Sequence, residues 1–202
     1  MFVQMFTGKV RDAEAVRATL EGWPAGPGRD ARGWLGSTAG ITDDSRLVGL
    51  ARFESADAAR ANSERPEQGR WWESLAADLD GEAEFFESSD VDEDVVGDPG
   101  TAGFVQVMRG RVSDAARARE LAGADPEAWA GYRPDILGSV MLAHDDGEYV
   151  MAIYFTSEAE AREGERKEPP AALAATMEEM GALEVGEVTY YDLRDPWFLS
   201  PS

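Results

Sequence analysis

The chain has 202 residues, 43% hydrophobic and 29% charged, with 40 acidic against 19 basic side chains and a formal charge of −21. Six Trp and eight Phe argue for a packed core and exclude a disordered polymer, while an acidic field without a basic stripe excludes nucleic acid and anionic membranes as partners. No apolar run reaches membrane-spanning length, the N-terminus opens on a strand-like segment rather than a signal core, and Cys is absent, so a cytoplasmic protein without disulfides or thiolate chemistry is expected.

In chain order, the pattern predicts an apolar strand over 2–10 and a helix from Asp12 to about Trp23, where Val16, Leu20 and Trp23 share a face. A Gly/Pro-bearing loop from Gly22 to Gly33 reads as mobile. Two strands follow at 34–41 and 46–54, turning at Asp43-Asp44-Ser45. A helical stretch over 55–79 is interrupted at Pro66, and a last strand lies near 82–88. The order is β-α-β-β-α-β.

The same order then returns. Phe2-Val3-Gln4 reappears 102 residues on as Phe104-Val105-Gln106, Leu35-Gly36-Ser37 as Leu137-Gly138-Ser139, and Ala59-Arg60 as Ala161-Arg162. Gly81-Glu82 matches Gly186-Glu187 only at a spacing of 105, so the second copy carries about three extra residues. The expected organisation is a first unit over 1–88, an acidic linker over 89–102, and a second unit over 103–202 with a C-terminal tail.

A doubled unit of this topology, with a bent second helix, resembles the dimeric α/β-barrel superfamily, and within it the antibiotic biosynthesis monooxygenase-like (ABM-like) proteins. The resemblance implies an α+β chain in which two ferredoxin-like units are fused in tandem as an intramolecular dimeric α/β barrel. It also implies a small-molecule pocket between sheet and helices, and a single chain serving as its own pseudo-dimer, with a homodimer left open. Haem-degrading members use an Asn, a Trp and a His. This sequence offers Gln4 or Gln106 near the first position, Trp71 or Trp72 near the second, and nothing for the third.

The residues themselves suggest candidates. Gln4 and Gln106 are polar groups amid apolar strand positions, so each either faces a ligand or is satisfied by its counterpart or a neighbouring strand. Adjacent Trp71 and Trp72 point about 100° apart on a helix, which puts Trp71 in the core and leaves Trp72 to line a pocket or to meet Trp34 or the Gly22–Gly33 loop. At a spacing of 102 they align with Leu173 and Ala174. Arg52 and Tyr154 take equivalent places on the third strands, as ligand contacts or as cross-strand partners. The expected substrate-binding set is therefore Gln4, Trp34, Arg52, Trp72, Gln106 and Tyr154, dominated by the first unit, with no residue singled out as catalytic.

No metal or other cofactor is expected, because the lone His144 precedes the Asp145-Asp146-Gly147 turn without a second His or any Cys. The Asp90, Asp92, Asp94 series lacks the Gly and Glu of a calcium loop, and no Gly-rich phosphate loop occurs. The expected function is a small-molecule pocket protein, a cofactor-independent monooxygenase-like enzyme acting on an aromatic or polyketide-like compound. A non-catalytic ligand-binding or structural protein is the alternative.

Overall fold

The computed structural model describes residues 1–201. The first repeat runs β1 (Phe2–Lys9), α1 (Ala13–Glu21), β2 (Trp34–Ile41), β3 (Arg46–Phe53), α2 (Ala56–Ser63), α3 (Pro66–Ala77) and β4 (Glu84–Ser88). A short strand β5 (Val91–Val95) follows. The second repeat runs β6 (Phe104–Arg111), α4 (Ala115–Ala122), α5 (Pro126–Tyr132), β7 (Ile136–Ala143), β8 (Glu148–Phe155), α6 (Glu158–Glu165), α7 (Ala171–Leu183) and β9 (Thr189–Leu193). The chain closes with β10 (Trp197–Leu199).

These are two ferredoxin-like units in tandem, each an antiparallel five-stranded sheet with helices, in the orders β10-β2-β3-β1-β4 and β5-β7-β8-β6-β9. Compact unit one is residues 1–91 with 195–202, and unit two is residues 92–194. Each sheet takes its fifth strand from the stretch after the other repeat. Residues 89–102, read as linker, thus carry β5, which lies beside β7, and the C-terminal tail adds β10 to the first sheet. The attraction is apolar. Trp197 and Leu199 are buried, and Arg17 lies over the Trp197 indole while pairing with Asp195 at 2.6 Å.

Local signals explain the helix starts. The Asp12 carboxylate accepts from the Glu14 and Ala15 amides, Asp114 from Arg117, Ser55 from Ala58 and Ser157 from Glu160. Pro66 opens α3, which separates it from α2. Helices α2 and α6 start 102 residues apart, whereas α3 and α7 start 105 apart, so the extra residues of the second copy lie between α6 and α7. Trp71 and Trp72 therefore correspond to Thr176 and Met177 rather than to Leu173 and Ala174. The β2–β3 turn holds Ser45 at φ 64°, and the matching Gly147 sits at φ 87°, where a Cβ would come 2.2 Å from the Val112 carbonyl oxygen.

In the first unit, Phe2, Phe6 and Phe53 of the sheet pack with Val16, Leu20, Leu75 and Leu79 of the helical layer. Val3, Met5, Val48 and Leu50, on the opposite face of the sheet, are buried as well, which accounts for near-continuous apolar runs in β1 and β3. The Gly22–Gly33 loop is packed rather than loose. Trp23, Gly28 and Ala31 are buried, and Arg65 donates to the Pro27 carbonyl at 2.9 Å.

Candidate functional site

Cross-strand register builds a floor on the helix-facing side of the first sheet. One row from β10 to β4 is Leu199, Ser37, Ala51, Gln4 and Glu87; the next is Trp197, Ala39, Gly49, Phe6 and Phe85. Small residues at Ala39 and Ala51 leave the middle of this floor low, while Gly49 lets the Phe6 ring lie over it. Leu20, Trp23, Asn62, Gln68, Trp71 and Trp72 stand over it, enclosing a cavity of about 550 Å³. That size lies within the range of about 300–1,000 Å³ used for small-molecule ligands.

Four of the six indoles line this cavity, and three are held by hydrogen bonds. Trp34 Nε1 donates to Ser37 Oγ at 3.0 Å, Trp23 Nε1 to Gln68 Oε1 at 2.8 Å, and Trp71 Nε1 to the Thr19 carbonyl at 3.0 Å. Rings follow one another from the buried Trp34 outward. Trp34 meets Trp23 edge-on at 4.4 Å, Trp23 meets Trp71 at 6.1 Å, and Trp72 packs on Phe6 at 5.7 Å and on Phe85 at 5.2 Å. Edge-to-face packing of this kind adds about 0.5–1.5 kcal/mol per pair and fixes ring planes.

The polar groups are few. Gln4 Nε2 donates to Glu87 Oε2 across the β1–β4 pair at 2.8 Å. The Asn62 Oδ1 accepts from Arg65 at 2.9 Å. Among the described residues, Glu87 is the single ionisable side chain on the lining, which includes no Lys, Arg or His.

Of the predicted ligand contacts, Gln4, Trp34 and Trp72 come together on this cavity, and Trp71, expected in the core alone, joins them. Arg52 does not. It lies between Ala51 and Phe53, both on the cavity, so the two-residue period of β3 turns it to the other face of the sheet, with a guanidinium nitrogen 3.2 Å from where a Gly36 Cβ would stand. Gln106 and Tyr154 belong to the second unit and point to opposite faces of its sheet, Gln106 pairing with Ile153 and Tyr154 with Val105. Neither glutamine needs its counterpart: Gln106 Nε2 donates to Asp192 at 2.9 Å, directly across β6 and β9.

The second sheet carries Met141, Met151 and Ile153 where the first has Ala39, Gly49 and Ala51. Its helix-facing side also takes two guanidinium groups, Arg133 over Phe155 at 5.3 Å and Arg162 over Phe104 at 5.1 Å. Arg133 is bonded to buried Asp135 at 2.7 Å; burial pushes that carboxyl up, but the Arg133 hydrogen bonds and charge outweigh it and hold it below its ordinary value. His144 sits with Asp146 and Glu148 in a spacing that could hold a metal ion, yet Arg111 bonds both carboxylates at 3.1 Å.

Sequence reasoning missed Trp23, Gln68, Phe85 and Glu87. Phe85 and Glu87 carried a usable signal, since two residues apart on a predicted strand they share a face, and the register of β1 with β4 makes it the face of Gln4 and Phe6. Among the described residues, no helix is long and apolar enough to cross a membrane.

The tandem ferredoxin-like fold is shared with solved structures that include a ferredoxin-fold protein from Listeria monocytogenes related to antibiotic biosynthesis monooxygenases, at 9% identity and a TM-score of 0.50 over 100% of this chain and 95% of that one. Three solved structures illustrate it. A proposed monooxygenase from Fusobacterium nucleatum superposes with a TM-score of 0.71 at 7% identity, covering 98% of this chain and 94% of that one. A proposed monooxygenase from Lactobacillus acidophilus gives 0.69 at 11% identity, with 98% and 95% covered, and an anthrone oxidase-like protein gives 0.68 at 12%, with 98% and 92% covered. No family model and no curated protein sequence matches the chain.

Proposed function

We propose that the protein is a small-molecule pocket protein of monooxygenase-like type, holding an electron-rich aromatic or polyketide-like compound in the cavity of its first unit. One observation carries this reading: four indoles and three Phe rings line a single cavity over a floor of small side chains. Flat apolar ligands are bound by such walls because ring faces supply buried area with few rotors to freeze. The fold shared with an anthrone oxidase-like protein and two proposed monooxygenases supports the same chemical class.

Cofactor-independent oxygenation asks the protein for a dry enclosure and for donors where negative charge develops. The substrate supplies the electrons: an activated CH₂ loses a proton, the carbanion reduces O₂, one oxygen stays as a carbonyl and the other leaves as water. The side-chain N–H groups of Asn62 and Gln68, whose oxygens accept from Arg65 and Trp23, are the donors on the lining for the oxyanion. The test is calorimetric titration with a panel of anthrones and naphthols, with oxygen uptake recorded in parallel. Binding with uptake supports the proposal, binding without uptake assigns the pocket to ligand carriage, and failure of every compound to bind overturns it.

A further inference from the structure

Gly69, the fourth residue of α3, lines the cavity, and the fold itself gives no reason for a glycine there. Its backbone is helical, with the N–H donating to the Arg65 carbonyl at 3.1 Å, so no left-handed conformation calls for it. Close packing does not call for it either. A Cβ added to Gly69 would meet no atom within 4 Å, and a helical glycine is less stable than alanine because it has more backbone freedom to lose. Among the described residues, Gly131 and Gly181 are also helical with open space around them, but both are exposed and neither lines the cavity. One turn on from Gly69 stands Trp72, and helical side chains lean back over the turn before them, which brings the indole beside the bare backbone. The duplicate differs at both places. With α3 and α7 starting 105 residues apart, Gly69 and Trp72 correspond to Ala174 and Met177.

We infer that Gly69 sets the length of the ligand: the cavity takes three linearly fused rings, the inner two against Trp23 and Trp34 and the outermost on the bare turn of α3 beside Trp72. The inference rests on the pocket reading above and adds the size of its ligand. The burial of the rings gives the direction. Trp34 and Trp23 are buried, Trp71 and Trp72 are half-buried, and the exposed members of the lining are Ser63, Phe85 and Glu87. The cavity therefore runs from a closed end at Trp34 to an outer end where Trp72 packs on Phe85 at 5.2 Å. A flat ring can lie directly on a glycine backbone, whereas a side chain would hold it away. A volume of about 550 Å³ accommodates a compound of this size.

The experiment titrates wild type, Gly69→Ala and Gly69→Leu by isothermal titration calorimetry with 2-naphthol and 2-anthrol, which share a hydroxyl and differ by one linear ring. Wild type should bind 2-anthrol about tenfold more tightly, because the third ring buries further apolar area. Gly69→Leu should abolish that preference while 2-naphthol stays within about twofold of its wild-type affinity, and Gly69→Ala should reduce it in the same direction. Gly69→Ala should also raise Tm by about 1–4 °C, since the fold loses nothing it needs. Should Gly69→Leu not fold, the Gly69→Ala results decide alone. Equal binding of both probes by wild type, an undiminished preference in the variants, equal loss of both probes, or a Tm lowered by Gly69→Ala overturns the inference and leaves the pocket reading standing. Failure of both probes to bind wild type overturns both.

Discussion

Gly49 lies under the ring of Phe6, the cavity-lining residue directly opposite it on β1, and an added Cβ would lie 2.2 Å from Phe6 Cζ and 2.6 and 2.7 Å from its Cε atoms. Ordinary carbon contacts are about 3.5–4.0 Å, so Gly49→Ala forces the ring to move by more than about 1 Å. Phe6 has little room, being buried and packed edge-on against Trp72. Overpacking of this kind costs about 1–3 kcal/mol, which for a chain of this length lowers Tm by about 2–12 °C. The duplicate shows the compensation. At the equivalent places the second sheet pairs Met108 with Met151, two flexible side chains in place of one large and one absent. Phe6→Met should therefore relieve Gly49→Ala, and a double-mutant cycle read by thermal and urea unfolding should give a coupling of about 0.5–3 kcal/mol. Wild-type stability for Gly49→Ala, or strict additivity in the cycle, would refute this account of the floor.

Other outcomes follow from the same geometry. Gln4→Ala and Trp72→Ala should each weaken binding of an aromatic ligand by about 1–3 kcal/mol in calorimetry while Gln106→Ala leaves it unchanged; loss confined to Gln106→Ala would move the site to the second unit. Asp135→Asn should lower stability at neutral pH by about 1–3 kcal/mol. Because the folded pKa of Asp135 is depressed, its contribution is complete above the ordinary carboxylate range and is lost as pH falls through that range and through the lower folded value. The Tm gap between wild type and variant should accordingly close below about pH 4, and a gap that persists in acid would contradict the ion-pair origin. Trp197→Ala should destabilise by about 3–5 kcal/mol in urea unfolding, since the indole anchors β10 on β2; a loss within experimental error would show that β10 is not held there.

The architecture was legible because repetition constrains it twice: each strand and cap predicted in one copy had to work in the other, and the 102-residue spacing preserved the strand phase. The strand exchange was not legible. A three-residue strand such as β10 has no period to read, and the acidic Val91–Val95 looks like linker until a sheet edge is offered to it. Gln4 could be singled out as a polar group in an apolar strand, and Trp34 and Trp72 as indoles that the second copy does not repeat. Arg52 failed because its neighbours in sequence, Ala51 and Phe53, face the cavity, and strand phase outranks proximity. The low floor was present in the sequence as Ala39 and Ala51 against Met141 and Ile153, but its meaning required knowing that these positions share one face.

The central claim, that the first unit's sheet and helices enclose the ligand site, is tested most directly by the six indole N–H resonances in a ¹⁵N-correlated NMR spectrum during titration with 2-naphthol. Trp23, Trp34, Trp71 and Trp72 line the cavity, whereas Trp129 and Trp197 do not. The account predicts that the four lining indoles shift saturably together while those of Trp129 and Trp197 stay in place. Saturable shifts at Trp129 with the four lining indoles unmoved would contradict it.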